Sequence, residues 1–88
     1  MSEKYAVTVL RAARKSLERL HPKVRRQIYE KLHQLESNPR PQDVKSLRGR
    51  AGYRVDSGKY RILYEIDDRE KGVVIRVIKH RKDVYRNL

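Results

Sequence analysis

Apolar and polar residues alternate near the start of this chain and again through its second half, and between the two regions apolar residues recur at helical spacing. Tyr5-Ala-Val-Thr-Val-Leu10 is a short run rich in β-branched residues and predicts a strand. Directly after it, Ala13, Leu17 and Leu20 recur at i, i+4, i+7, and Val24, Ile28, Leu32 and Leu35 at i, i+4, i+8, i+11. Each set falls on one stripe of a helix with Arg and Lys on the outer face, which predicts two amphipathic helices. His21-Pro22 separates them, because proline is tolerated only in the opening turn of the second. Asn38-Pro39 ends that second helix, since the residue before a proline is pushed out of the α region.

A loop through Gln42-Asp43 leads to a pair of alternating segments joined by a tight turn at Ser57-Gly58. In Tyr60-Arg-Ile-Leu-Tyr-Glu-Ile66 the period of two puts Tyr60, Ile62, Tyr64 and Ile66 on one face and Arg61, Leu63 and Glu65 on the other. The acidic turn Asp67-Asp-Arg-Glu-Lys-Gly72 closes a second hairpin into Val73-Val-Ile-Arg-Val-Ile-Lys79. There Val73, Ile75 and Val77 alternate with Val74, Arg76 and Ile78; both parities are mostly apolar, so this strand is expected inside the sheet rather than at its edge. Residues from Arg81 onward suit one or two helical turns.

The expected fold class is α+β: an N-terminal strand, a two-helix hairpin, a three-strand antiparallel meander and a short C-terminal helix, in one domain over residues 1–88. Both long helices should cover one sheet face and leave Arg54, Asp56, Arg61 and Arg76 on the other.

Charge sharpens this picture. With 23 Lys+Arg against 11 Asp+Glu the formal net charge is +12, a field that attracts polyanions and makes their binding salt-dependent. Nucleic acid or an acidic protein is the expected partner. Cysteine is absent, so no disulfide framework or thiolate metal site exists, and His21, His33 and His80 lack a metal-ligand spacing. No metal or cofactor is therefore expected. No apolar run approaches the ~20 residues of a membrane span and the first residues lack an apolar signal core, so a cytoplasmic address without membrane association is expected.

The element order, Leu47-Arg-Gly49 before the hairpin, Tyr53-Arg54, Tyr60-Arg-Ile-Leu-Tyr64 and His80-Arg-Lys-Asp-Val-Tyr85 together resemble the RelE/ParE toxin superfamily, in particular its RelE-like branch of type II toxin–antitoxin systems. The resemblance spans essentially the whole chain. It implies a ribosome-dependent endoribonuclease that cuts messenger RNA in the ribosomal A site and inhibits translation. It also implies a cognate antitoxin, acidic and partly disordered when free, in a hetero-oligomeric complex. A ParE-like DNA gyrase inhibitor and a non-catalytic nucleic-acid-binding module are the alternatives.

Such a cut needs a 2′-hydroxyl to attack the adjacent phosphorus while the extra charge on the phosphorane is held, and guanidinium groups suit that task. Arg61 matches the family's Tyr-Arg-x-x-Tyr arginine, Arg48 a phosphate contact, Arg81 the arginine after the last strand, and Tyr85 a tyrosine that stacks on or orients RNA. Arg54 joins the catalytic set, and Lys45, Arg50, Lys79 and Lys82 are expected on the RNA backbone. Some relatives carry lysines at the positions of Arg54 and Asp56, and an arginine cannot replace a lysine as a base. Proton handling is therefore assigned to His80, a side chain type that titrates near neutrality, with Asp56 as a base or an ion-pair partner of Arg54 or Arg61. His21 and His33 read as capping or surface residues.

Overall fold

A computed structural model describes residues 4–84 of the chain. The elements run β1 (Ala6–Val9), α1 (Arg11–Glu18), α2 (Pro22–Ser37), β2 (Lys45–Ser46), β3 (Tyr53–Ser57), β4 (Tyr60–Asp67), β5 (Gly72–His80) and α3 (Arg81–Val84). This is the expected α+β order with one addition. Lys45–Ser46 pairs antiparallel with β3 and lengthens the meander by a strand where the sequence reads only as loop. A two-residue strand carries no alternation to detect.

Local chemistry sets the helix boundaries. Pro22 opens α2 at a position whose N–H needs no intrahelical partner, and the His21 side chain accepts a hydrogen bond from Lys23 N at 3.2 Å as the cap. At the far end Asn38, held extended ahead of Pro39 at φ −146°, still donates its N–H to Gln34 O at 3.0 Å. His33 lies exposed on α2 with Nδ1 2.9 Å from Glu36 Oε1.

The sheet has five strands in the order β1-β5-β4-β3-β2. β1 runs parallel to β5, and the remaining neighbours are antiparallel. β5 is thus paired on both edges, as its two-sided apolar pattern requires. The β3–β4 hairpin closes through Gly58 and Lys59, one position later than the turn expected from sequence, with Ser57 opposite Tyr60 and Gly58 at φ +60°. That left-handed backbone is open to glycine without a Cβ penalty.

One irregularity changes the faces. Tyr64 pairs with Ile75 but its neighbour Leu63 pairs with Val77, so Arg76 is an extra residue in β5, a β-bulge. The expected alternation of Val73, Ile75 and Val77 therefore breaks. Val73, Ile75 and Ile78 enter the core, while Val77 moves to the opposite face. β4 keeps its expected parity, with Ile62 and Tyr64 in the core and Tyr60 and Ile66 packed against it.

Ala13 and Leu17 of α1 and Ile28, Leu32 and Leu35 of α2 meet Val55, Ile62, Tyr64, Val73, Ile75 and Ile78 in one cluster. Burial of each large apolar side chain here stabilises the fold by ~1.5–3 kcal/mol. Tyr64 is the largest of them and donates its phenolic O–H to Pro39 O at 2.7 Å, so its polar tip is satisfied inside the core. Leu63 is also buried, but outside that cluster, beneath the open face of the sheet.

Candidate functional site

Strand register brings the predicted cations together. Asp56, Arg61 and Lys79 lie in one cross-strand row, and Lys45, Arg54, Leu63 and Val77 in the next row along the same face. The helices cover the other face, so these charges stand where solvent and ligands reach them. A cleft of about 220 Å³ opens among them, lined by Asp43, Lys45, Arg54, Val55, Asp56 and Arg61. Val55 is its apolar member.

Arg61 is largely enclosed. Its side chain is 15% exposed, against 50% for Asp56, and its Nε stands 3.3 Å from Asp56 Oδ1. Asp56 is thus an ion-pair partner of Arg61 across the hairpin. Glu65, two positions along β4, pairs instead with Arg76, Nη1 to Oε2 at 3.5 Å. Asp43 enters the cleft from the loop after α2, anchored by Lys31 Nζ at 3.1 Å. That contribution is invisible in the sequence, because a pairing across a helix end has no periodic signature; Lys31 reads there only as an outer helix cation.

The other predicted residues take different positions. Arg48 and Arg50 are exposed in the 47–52 loop, which Leu47 N closes on Gly52 O at 3.1 Å. Gly52 sits at φ +121°, and a Cβ there would meet Tyr64 O at 3.1 Å and Leu47 Cδ1 at 3.2 Å, so only glycine lets this loop lie against β4. Arg81 and Lys82 are exposed at the start of α3, with Arg81 N donating to Lys59 O at 2.8 Å. Tyr85 lies outside the described residues.

His80 is separated from Arg61 by strand parity. The bulge at Arg76 places His80 on the helix-covered face, directly opposite Tyr60, whose ring it meets edge-on at 5.4 Å between centroids. Its Nδ1 accepts the N–H of Lys82 at 3.2 Å. In this arrangement His80 caps α3 and does not line the cleft.

A second polar cluster anchors the start of β3. Arg40 donates from Nη1 and Nη2 to Asp68 Oδ1 and Oδ2 at 3.0 and 2.8 Å, and its guanidinium also stacks 5.2 Å from the Tyr53 ring centroid. Tyr5 donates its O–H to Asp68 Oδ1 at 2.7 Å. The Arg40 hydrogen bonds, followed by that from Tyr5, hold the Asp68 carboxyl well below the usual carboxylate range. The Tyr5 phenol is pushed up by the same hydrogen bond to Asp68. Desolvation in the core pushes up the Tyr64 phenol. The cluster ties β1, the loop after α2, the β4–β5 turn and Tyr53 together, one residue from Arg54.

The five-stranded mixed sheet with two helices on one face matches the fold of solved RelE structures. The toxin–antitoxin complex RelBE2 of Mycobacterium tuberculosis contains a chain that aligns with a TM-score of 0.79 at 31% identity, covering 88% of this chain and 98% of that one. The archaeal RelE–RelB complex of Pyrococcus horikoshii aligns equally well, TM-score 0.79 at 30% identity over 92% of this chain and 97% of the other. RelE1 of Methanocaldococcus jannaschii is 32% identical over 88 residues, 96% of this chain and 98% of its own length. The family model of the ParE toxin of type II toxin–antitoxin systems matches residues 7–85. The chain belongs to that family, within the RelE/ParE toxin superfamily.

Proposed function

We propose that this toxin is a ribosome-dependent endoribonuclease of the RelE type that cuts messenger RNA in the ribosomal A site, and that a cognate antitoxin neutralises it. The observation that carries this reading is the cleft in which Lys45, Arg54 and Arg61 converge from β2, β3 and β4 on the open sheet face. The 2′-oxygen of one nucleotide loses its proton and bonds to the adjacent phosphorus. The bond to the 5′-oxygen then breaks, leaving a 2′,3′-cyclic phosphate and a 5′-hydroxyl that takes up a proton. Arg61 and Arg54 hold the charge that builds on the phosphoryl oxygens, in a geometry set by strand pairing before RNA arrives. Lys79, level with Arg61, and Arg48, Arg50, Arg81 and Lys82 at the margins track the RNA backbone.

No carboxylate or imidazole in the cleft stands clear of an ion pair as a base, so the rate rests on alignment and charge rather than on a tuned proton acceptor. This is the physical reason for a ribosome: an external scaffold presses the 2′-oxygen into line. Neither metal nor cofactor takes part in this scheme. The toxin would act in the cytoplasm, where its substrate is, and the antitoxin would be an acidic segment, partly disordered when free, that folds over the +12 surface in a hetero-oligomer. The RelE relatives from Mycobacterium tuberculosis and Pyrococcus horikoshii, crystallised with their antitoxins, support such a partner.

The test is primer extension on programmed ribosomes with purified toxin. Codon-positioned cuts that vanish when ribosomes are omitted are expected, and equally rapid cutting of naked RNA would overturn the reading. A gyrase inhibitor is the second reading, favoured by the ParE family match. Loss of supercoiling activity with purified gyrase, without ribosome-dependent cuts, would establish it.

A further inference from the structure

The anion seat at Arg61 already faces an anion of the chain's own. Asp56 stands directly opposite Arg61 in the β3–β4 register, with Oδ1 3.3 Å from the guanidinium Nε, and both residues line the same cleft. Asp56 is the more exposed member, 50% against 15%, so the carboxylate lies on the solvent side of the guanidinium. A carboxylate and a phosphate are both drawn to a guanidinium by its charge, so a phosphate approaching Arg61 meets the Asp56 carboxylate as a rival. Asp43, the second carboxylate in the cleft, is bound by Lys31 from α2.

We propose that Asp56 is a built-in competitor for the phosphate seat of Arg61, a specificity-determining residue that holds the guanidinium while RNA is absent and yields to a phosphodiester. The inference rests on the cleft being the RNA site. Opening the pair subtracts from the affinity for every anionic ligand by the same amount. A short or loosely held RNA cannot recover that loss. A strand held against the cleft by a large scaffold, at a high effective concentration, overcomes it easily. Asp56 thus biases the toxin toward RNA presented by a ribosome and away from free polyanions, against the pull of its overall charge.

The experiment is fluorescence-anisotropy binding of a short 2′-O-methyl oligoribonucleotide, which cannot be cut because its attacking oxygen is blocked. Wild type, Asp56→Asn, Arg61→Gln, the double variant and Asp43→Asn are compared at one ionic strength, with folding checked by circular dichroism; Asp56→Ser replaces Asp56→Asn if the latter fails to fold. Asp56→Asn should bind about twofold to fivefold more tightly, the range for opening one partly exposed ion pair. Asp43→Asn should gain less than about twofold, and the double variant should bind no more tightly than Arg61→Gln alone. An equal gain in the Arg61→Gln background, or from Asp43→Asn, would reduce the effect to lost negative charge and overturn the inference. So would no gain at all from Asp56→Asn. If Arg61→Gln itself leaves binding unchanged, the fault lies with the cleft as the RNA site.

Discussion

Arg61 and His80 differ in what a single substitution should do, because the cleft holds one and the helix-covered face holds the other. On the proposed function, Arg61→Ala would remove a preorganised charge at the phosphoryl group, and such groups contribute ~3 kcal/mol to the transition state, so single-turnover cleavage on programmed ribosomes should fall by about 100-fold. His80→Gln should cost less than about tenfold, a loss of α3 capping rather than of chemistry. A larger loss from His80→Gln than from Arg61→Ala would return proton transfer to the histidine. Tyr64→Phe tests the core: it strands the Pro39 carbonyl without its donor and should lower unfolding stability by about 1–2 kcal/mol in urea titrations, with cleavage intact. At residue resolution the sequence placed Arg54, Asp56 and Arg61 on one face, because strand parity alone decides that. The pairing of Arg61 with Asp56 was one of two options there, and Lys31 with Asp43 was beyond reach, since each depends on how the elements dock.

Among the elements, β5 explains both what was legible and what was not. The helices, their proline boundaries and the alternating strands follow from periodicity and turn residues, and they stand where that chemistry puts them. The bulge does not follow, because an apolar residue on either side of Arg76 satisfies both registers, and only pairing with β4 decides between them. That one extra residue moves Ile78 into the core and carries His80 with it. Deleting Arg76 should leave the faces as they are, because Val77 then follows Ile75 directly and still meets Leu63, while Ile78 still meets Ile62 in the core. The expected result is a stability change of less than ~1 kcal/mol, read as a nearly unchanged urea midpoint. A loss of ~1.5 kcal/mol or more, the worth of one large apolar side chain, would show that the deletion moves Ile78 off the core face.

For the whole molecule, charge and pH act through different residues. The +12 surface predicts that RNA affinity falls linearly in a log–log plot against salt, and replacing an exposed cation such as Arg48 should make that slope shallower by about one unit. Asp68 governs the acid limb of stability. Its carboxyl titrates lower in the folded chain than in the unfolded one, so its contribution is complete above the unfolded value of about 4 and is lost as pH falls through the folded value. Asp68→Asn should therefore lose stability at neutral pH and show a smaller further decline than wild type on acidification to about pH 3. Urea midpoints at the two pH values decide it, and parallel curves for the two proteins would remove Asp68 from this role.

The pairing of β1 with β5 has a temporal side. Ala6 meets Gly72 and Val9 meets Ile75, so the strand that leaves the ribosome first has no neighbour until nearly all the intervening chain has followed it. Contacts of such long sequence separation form late, after the entropy of closing the large loop has been overcome. β4 already has β3 as a neighbour, but the row that sets Lys79 beside Arg61 does not exist before β5 arrives. The open face is thus finished in two stages: the β3–β4 hairpin that carries Arg54 and Arg61 can pair as soon as it is made, and Lys79 joins their face only when β5 is added.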